Sequence, residues 1–177
     1  LHEHDIIASI RNGFLPPPYY DQKSVVIYCG ATSEEWSPKS VEGGIGGSEE
    51  ATIHMARELN KLGYNVKVYN NCGANAGTYD GVEYINFVRF NPKGRYNILI
   101  SWRQNIFKLA ITARKRLVWV HDIPKNIEWD NPDTLVQVDK FVVLSDYHRS
   151  LIPENIPREK IFVTTNGINP DDFKGMG

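Results

Sequence analysis

Residues 41–70 read VEGGIGGSEEATIHMARELNKLGYNVKVYN, and this stretch decides the fold class. A glycine-rich turn (Gly43, Gly44, Gly46, Gly47) leads into an amphipathic helix, a break at Gly63 and a buried strand. Ser48 is expected as the N-cap, and Glu49 and Glu50 stand in the first turn, where the helix dipole favours carboxylates. Ala51, Met55, Leu59 and Leu62 recur at helical spacing and form one apolar stripe. Gly63 closes the helix as a C′ glycine does. Val66, Val68 and Tyr69 make the short β-rich run of the next strand. Upstream, residues 24–29 (SVVIYC) are a continuous apolar run of strand length. The unit is strand, glycine loop, helix, strand: a βαβ opening.

Four glycines within residues 43–47 admit two readings. One is a flexible surface loop of the kind glycine permits anywhere. The other is a backbone that a ligand approaches closely, and location favours it, because ligands of open α/β sheets bind at the carboxyl ends of strands. The dinucleotide fingerprint G-x-G-x-x-G fits badly. Gly44 and Gly46 supply its first two glycines, but the third falls on Glu49, and the second strand ends in Asn70 and Asn71 with no acid to hold a ribose. No lysine follows the glycines, so a phosphate P-loop is demoted along with the dinucleotide site.

The bounds agree with a small α/β domain. The chain has 177 residues, 41% of them hydrophobic, and a net charge of −1. That length fits about one domain. No basic block supports a nucleic-acid surface. Apolar runs are of strand length only, so no integral membrane segment is expected, and no signal-peptide pattern opens the chain. Cys29 and Cys72 lack metal spacing and are read as a reduced pair of small, buried or half-buried fillers. A cytoplasmic location is expected, with peripheral membrane association left open. The start at Leu1 suggests a piece excised from a longer chain.

Along the chain, residues 1–23 read as an extended lead-in, stiffened by Pro16, Pro17 and Pro18 and laid down by Tyr19 and Tyr20. His2, His4 and Asp5 are taken as incidental to a terminus rather than as metal ligands. Residues 24–165 form the Rossmann-like domain, and residues 166–177 begin a linker. Residues 71–81 read as a polar loop and 82–90 as a strand near an edge, ended by a turn at 91–94. Residues 96–101 (YNILIS) are the next buried strand, 104–114 have helical character, and 117–120 (LVWV) are a central strand. Residues 123–130 are an irregular loop, 134–138 a short helix, 140–144 (KFVVL) a strand, and Ser145 caps a helix through Leu151. Residues 161–165 (IFVTT) are the last strand. Strands alternating with helices imply a parallel sheet with both faces covered.

The strand ends collect the chemistry: Gly30 with the glycine loop, Asn70 and Asn71, Trp102 and Arg103, His121 and Asp122, Ser145 and Asp146, Asn166 and Gly167. Any surface asks for polar strand ends, yet a His-Asp pair directly after LVWV is no ordinary turn. Trp102 and Arg103 are candidate acceptor contacts. Ser145 reads first as an N-cap and Asp146 is open. His54 reads as packed or half-exposed, and His148 as surface.

At these residues the chain resembles the N-terminal half of a GT-B glycosyltransferase, of the large retaining group called glycosyltransferase family 4. The matching pieces are GGIGGSEEATIHMARELNKLGYNVKVY, WVHDIP, FVVLSDYHRSL and IFVTTNGINPDDF, spread over residues 24–173. Their order and spacing carry the likeness more than any one of them.

The resemblance implies a hexosyltransferase-like enzyme that moves a sugar from a nucleotide-sugar to a sugar, lipid or protein acceptor. It implies retention of configuration and needs neither metal nor other cofactor. Gly44, Gly46 and Gly47 are then the loop approaching the donor diphosphate. His121 faces the donor sugar, with Asp122 orienting its imidazole or capping the next loop. Trp102, Arg103, Ser145, Asp146 and Asn166 line the substrate side. Asn166 and Gly167 lead toward a C-terminal, donor-binding domain that these residues do not include, so this chain alone is expected to be inactive. Asp-x-Asp is absent from the sequence, which speaks against a metal-dependent GT-A enzyme. The alternative is a non-catalytic, Rossmann-like nucleotide-binding or interaction module.

Overall fold

Alternating apolar segments assemble into one sheet in the computed structural model, which describes residues 3–14, 21–123 and 131–167. The helices are α1 (Glu3–Phe14), α2 (Gly47–Lys61), α3 (Pro132–Gln137) and α4 (Asp146–Ser150). The strands are β1 (Ser24–Tyr28), β2 (Asn65–Asn70), β3 (Gly77–Tyr79), β4 (Val82–Asn86), β5 (Arg95–Trp102), β6 (Thr112–Trp119), β7 (Lys140–Val143) and β8 (Ile161–Val163). They lie in the order β3-β4-β2-β1-β5-β6-β7-β8, and each neighbouring pair is parallel except β3 with β4. From β1 the chain passes through α2 to β2 and outward to β4. It then returns to β5 on the other flank of β1 and proceeds outward again to β8. Strand order therefore reverses between β1 and β5, and the whole is an α/β fold compatible with a Rossmann-like sheet.

Period-two alternation divides the core between the two faces of the sheet. Val25, Ile27 and Cys29 pack with Val66, Val68, Trp102 and Trp119 on the face that Ile53 and Ala56 of α2 cover. Val26, Leu99, Val118, Phe141 and Val143 pack on the other face with Phe107, Ile111, Ile152 and Ile156. Phe90 gathers three tyrosines there, its ring 4.6 Å from Tyr28, 5.4 Å from Tyr69 and 5.3 Å from Tyr96.

Helix α2 ends as its sequence demands. Gly63 takes φ +87, its N–H donates to Asn60 O at 2.8 Å, and Tyr64 N–H donates to Leu59 O at 3.2 Å. That is a Schellman closure. Its other features differ from expectation. The N-cap is Gly46, while Ser48 lies inside the first turn and its hydroxyl donates to Glu49 Oε2 at 2.8 Å. The buried residues are Thr52, Ile53 and Ala56; Ala51, Met55 and Leu59 are half-buried, and Leu62 is 75% exposed. A buried threonine is tolerated because its hydroxyl donates to Ser48 O at 2.9 Å, one turn back.

Further elements depart from the sequence reading. Residues 3–14 form α1 rather than an extended lead-in, and α1 packs on the short turn Phe87–Arg89. The proline run and Tyr19 and Tyr20 lie outside the described residues, as do most of the 123–130 loop and residues 168–177 of the linker. Within 71–81, Gly77–Tyr79 forms an antiparallel edge strand too short to show a period. The strand from Val82 stops at Asn86, whose side chain accepts from Val88 N and turns the chain into a single 3-10 turn.

Residues 104–114 contain no α-helix. Asn105 Oδ1 accepts from Phe107 N at 3.0 Å, Ala110 takes φ +54, and Ile106, Phe107 and Ile111 are anchored in the core. The basic run 114–116 prefers helix by propensity, yet it extends β6 upstream, because β5 offers a free edge from Arg95 onward. Strand β6 is sixth of eight, so the strand before His121 lies off the centre; β1 and β5 hold the middle.

Candidate functional site

Where strand order reverses, the carboxyl ends of two neighbouring strands diverge and leave a crevice, the usual ligand position in open α/β sheets. Here a cleft of about 330 Å³ opens there, between residues 29–33 after β1 and 102–104 at the end of β5, with Glu49 of α2 beside them. Its walls are built by local chemistry. Gly30 takes φ +70, and a side chain there would strike the Gln104 amide, which instead donates to Cys29 O at 3.2 Å and ties β5 to β1. Asn70 Nδ2 donates to Trp36 O at 2.7 Å, Asn71 Nδ2 donates to Thr32 O at 3.2 Å, and Trp36 N donates to Asn71 O at 2.9 Å. The two asparagines at the end of β2 thus hold the β1 loop in place.

Arg103 organises the electrostatics. Its backbone sits at φ +60, left-handed and uncommon outside glycine, and is pinned by its N–H donating to Trp119 O at 2.8 Å. The guanidinium lies 4.9 Å from the Trp102 ring. Its Nε donates to Asp122 Oδ2 at 2.5 Å, and its other end is 3.7 Å from Glu49 Oε1. Two of the expected site residues, Arg103 and Asp122, therefore meet directly, and Glu49, read from the sequence only as a carboxylate favoured by the helix dipole, joins them.

His121 stands behind this cluster. Its ring lies 4.4 Å from Trp119 and 5.9 Å from Trp102, and its Nε2 is buried with no partner among the described residues. Burial pushes its pKa down to about 4; the Asp122 carboxylate opposes the shift and Arg103 adds to it. The imidazole is neutral at pH 7. Trp102 is 2% exposed, and its indole N–H likewise has no partner among the described residues.

His148 corrects a surface reading: it is buried. Leu144 N–H donates to its Nδ1 at 3.4 Å, so Nε2 carries the proton and donates to Asp122 O at 2.9 Å. The histidine clips the β6 loop to the start of α4. Spacing to Leu151 and Ile152, three and four residues on, was the signal that it faces inward.

The remaining candidates stand elsewhere. Ser145 is the N-cap of α4, accepting from His148 N at 3.0 Å, and Asp146 is an exposed partner of Arg149 at 3.8 Å. Asn166 is exposed past the end of β8. The glycine loop is exposed, and of Gly44, Gly46 and Gly47 only Gly44 needs a left-handed φ, +82. Gly46 sits at φ −60, and a Cβ there would collide with the Glu49 carboxylate, so its lack of a side chain gives Glu49 room to fold back toward Arg103. His54 is half-exposed, 3.6 Å from Glu50. Cys29 and Cys72 are both buried and free. Compared with protein-family models, with curated proteins and with solved structures, the chain matches none.

Proposed function

We propose that this chain is the acceptor-side domain of a retaining GT-B glycosyltransferase that moves a sugar from a nucleotide-sugar to an acceptor. The observation that carries the reading is one place in the fold: the end of β1, the start of α2 and the end of β5 converge on a cleft at the strand-order reversal, with neutral His121 behind it. Breaking the bond between sugar and phosphate builds positive charge on the ring and negative charge on the leaving diphosphate. An imidazolium would oppose the first, whereas a neutral imidazole orients a sugar hydroxyl without that cost. Trp119, its ring 4.4 Å away, and Trp102, 5.9 Å away, hold the imidazole by packing, while the Asp122 carboxylate is taken up by Arg103. Amides of the glycine loop face the leaving group, and the main grip on the nucleotide belongs to a second domain beyond these residues.

The test uses the full-length enzyme with its donor. His121→Phe keeps a ring between the two indoles and removes the nitrogens. It is expected to lower kcat/KM by about 10²–10³ with little change in melting temperature, the scale of one well-placed hydrogen bond. Activity within about threefold of wild type removes His121 from the site. The 177-residue chain alone is expected to show no transfer or donor hydrolysis above an enzyme-free control. Micromolar binding of UDP or GDP to that chain would favour a self-contained nucleotide-binding module instead.

A further inference from the structure

We propose that the cleft between the ends of β1 and β5 is a subsite for a neutral, hydroxyl-rich ligand, a sugar or cyclic polyol, held by Glu49 and Arg103. The inference rests on the acceptor-side reading and names its acceptor class.

Charge excludes the obvious alternative. The single guanidinium is already engaged by Asp122 at 2.5 Å and approached by Glu49 at 3.7 Å. One cation between two carboxylates leaves a net negative wall, and an anionic ligand would have to displace Asp122 and then lie against Glu49. Like charges so placed repel strongly in a partly dry cleft. Glu49 is not a bystander at the surface, for its side chain is only 15% exposed and lines the cleft.

The donor and acceptor inventory points to hydroxyls. A carboxylate only accepts and a guanidinium only donates. Neighbouring hydroxyls on one small ring do both, and so answer Glu49 and Arg103 together. Thr32 already donates to Glu34 O at 2.6 Å, which leaves its oxygen free to accept, and Ser33 adds a second hydroxyl to the same wall.

Trp102 lines the cleft and is 2% exposed, and its buried indole N–H, like those of Trp36 and Trp119, has no partner among the described residues. The ring therefore serves as a reporter for the cleft wall. The left-handed backbone of Arg103 is a further mark, since such strain persists where surroundings hold a side chain at a ligand clamp.

The experiment titrates the isotope-labelled 177-residue chain, watching the Trp102 indole and Arg103 Nε–H resonances. The probes are the methyl glycosides of glucose, galactose and mannose, myo-inositol, glucose 6-phosphate and inorganic phosphate, each at millimolar levels. At least one neutral probe is expected to shift both resonances, with inorganic phosphate leaving them in place. E49Q should weaken that binding by about tenfold or more, the scale of one charge-assisted hydrogen bond, while a thermal melt stays near wild type. If E49Q does not fold, S33A and T32V serve, each expected to weaken the same titration severalfold.

Response to the phosphate probes only, silence toward every neutral probe, or neutral binding indifferent to all these substitutions each overturns the proposal. Donor turnover by the full-length enzyme is a separate readout. An active enzyme whose cleft ignores neutral polyols sinks the subsite and leaves the glycosyltransferase reading standing.

Discussion

His121 shows how a residue's surroundings set its chemistry. Packed against Trp119 and near Trp102, it holds a proton only below about pH 4, whereas the unfolded chain takes one up near 6.5. Between those values the unfolded state binds more protons, so stability is fully present above about 6.5 and is lost as pH falls toward 4. At pH 5 this single group should lower stability by about 2 kcal/mol relative to pH 7.5. Urea melts at the two pH values check it, with His121→Phe as the comparison. The variant should lose that part of the pH dependence and keep whatever other groups contribute.

Among the elements, α3 is too short to be stable on its own and is held by its neighbours. The Lys160 ammonium donates to Leu135 O at 2.9 Å and Val138 O at 2.8 Å, at the carboxyl end of this helix. Cationic donors at helix carbonyls satisfy orphan acceptors and oppose the negative end of the dipole. Lys160→Met keeps the aliphatic stem and removes both bonds. It should cost about 1.5–3 kcal/mol, seen as a lower urea midpoint at unchanged m-value. A loss under about 0.5 kcal/mol would mean that water replaces the ammonium freely. The same element scale explains residues 104–114. The helical character read there is met only by the short 3-10 turn Phe107–Leu109, and Ile106, Phe107 and Ile111 bury in the core from that turn and the loop around it.

Across the whole molecule, the two cysteines report on the integrity of the sheet. Cys29 directly follows β1 and Cys72 follows β2, and both are buried. Burial pushes the Cys72 thiol up to about 11 and raises Cys29 well above its ordinary range. Thiolate is the reactive form, so neither should react with an aromatic disulfide reagent in the native state at pH 8. Labelling should follow the cooperative unfolding curve in urea, both sites together. Rapid labelling without denaturant at either position would show that this part of the sheet opens locally.

The sequence by itself determined what short-range patterns can determine. The apolar runs of β1, β2, β5 and β7, the βαβ opening, the Gly63 closure and the Ser145 cap depend on residues within a few positions of one another. Their alternation was enough for a mostly parallel α/β sheet. Tertiary structure decided the rest, because it depends on partners far apart in the chain. Edge pairing made β3 a strand and extended β6, and packing buried His148 under the β6 loop. Strand order placed the reversal between β1 and β5, which no local pattern encodes. It also brought Glu49, Arg103 and Asp122 into one charged cluster, three residues that the sequence keeps on separate elements and only the fold sets side by side.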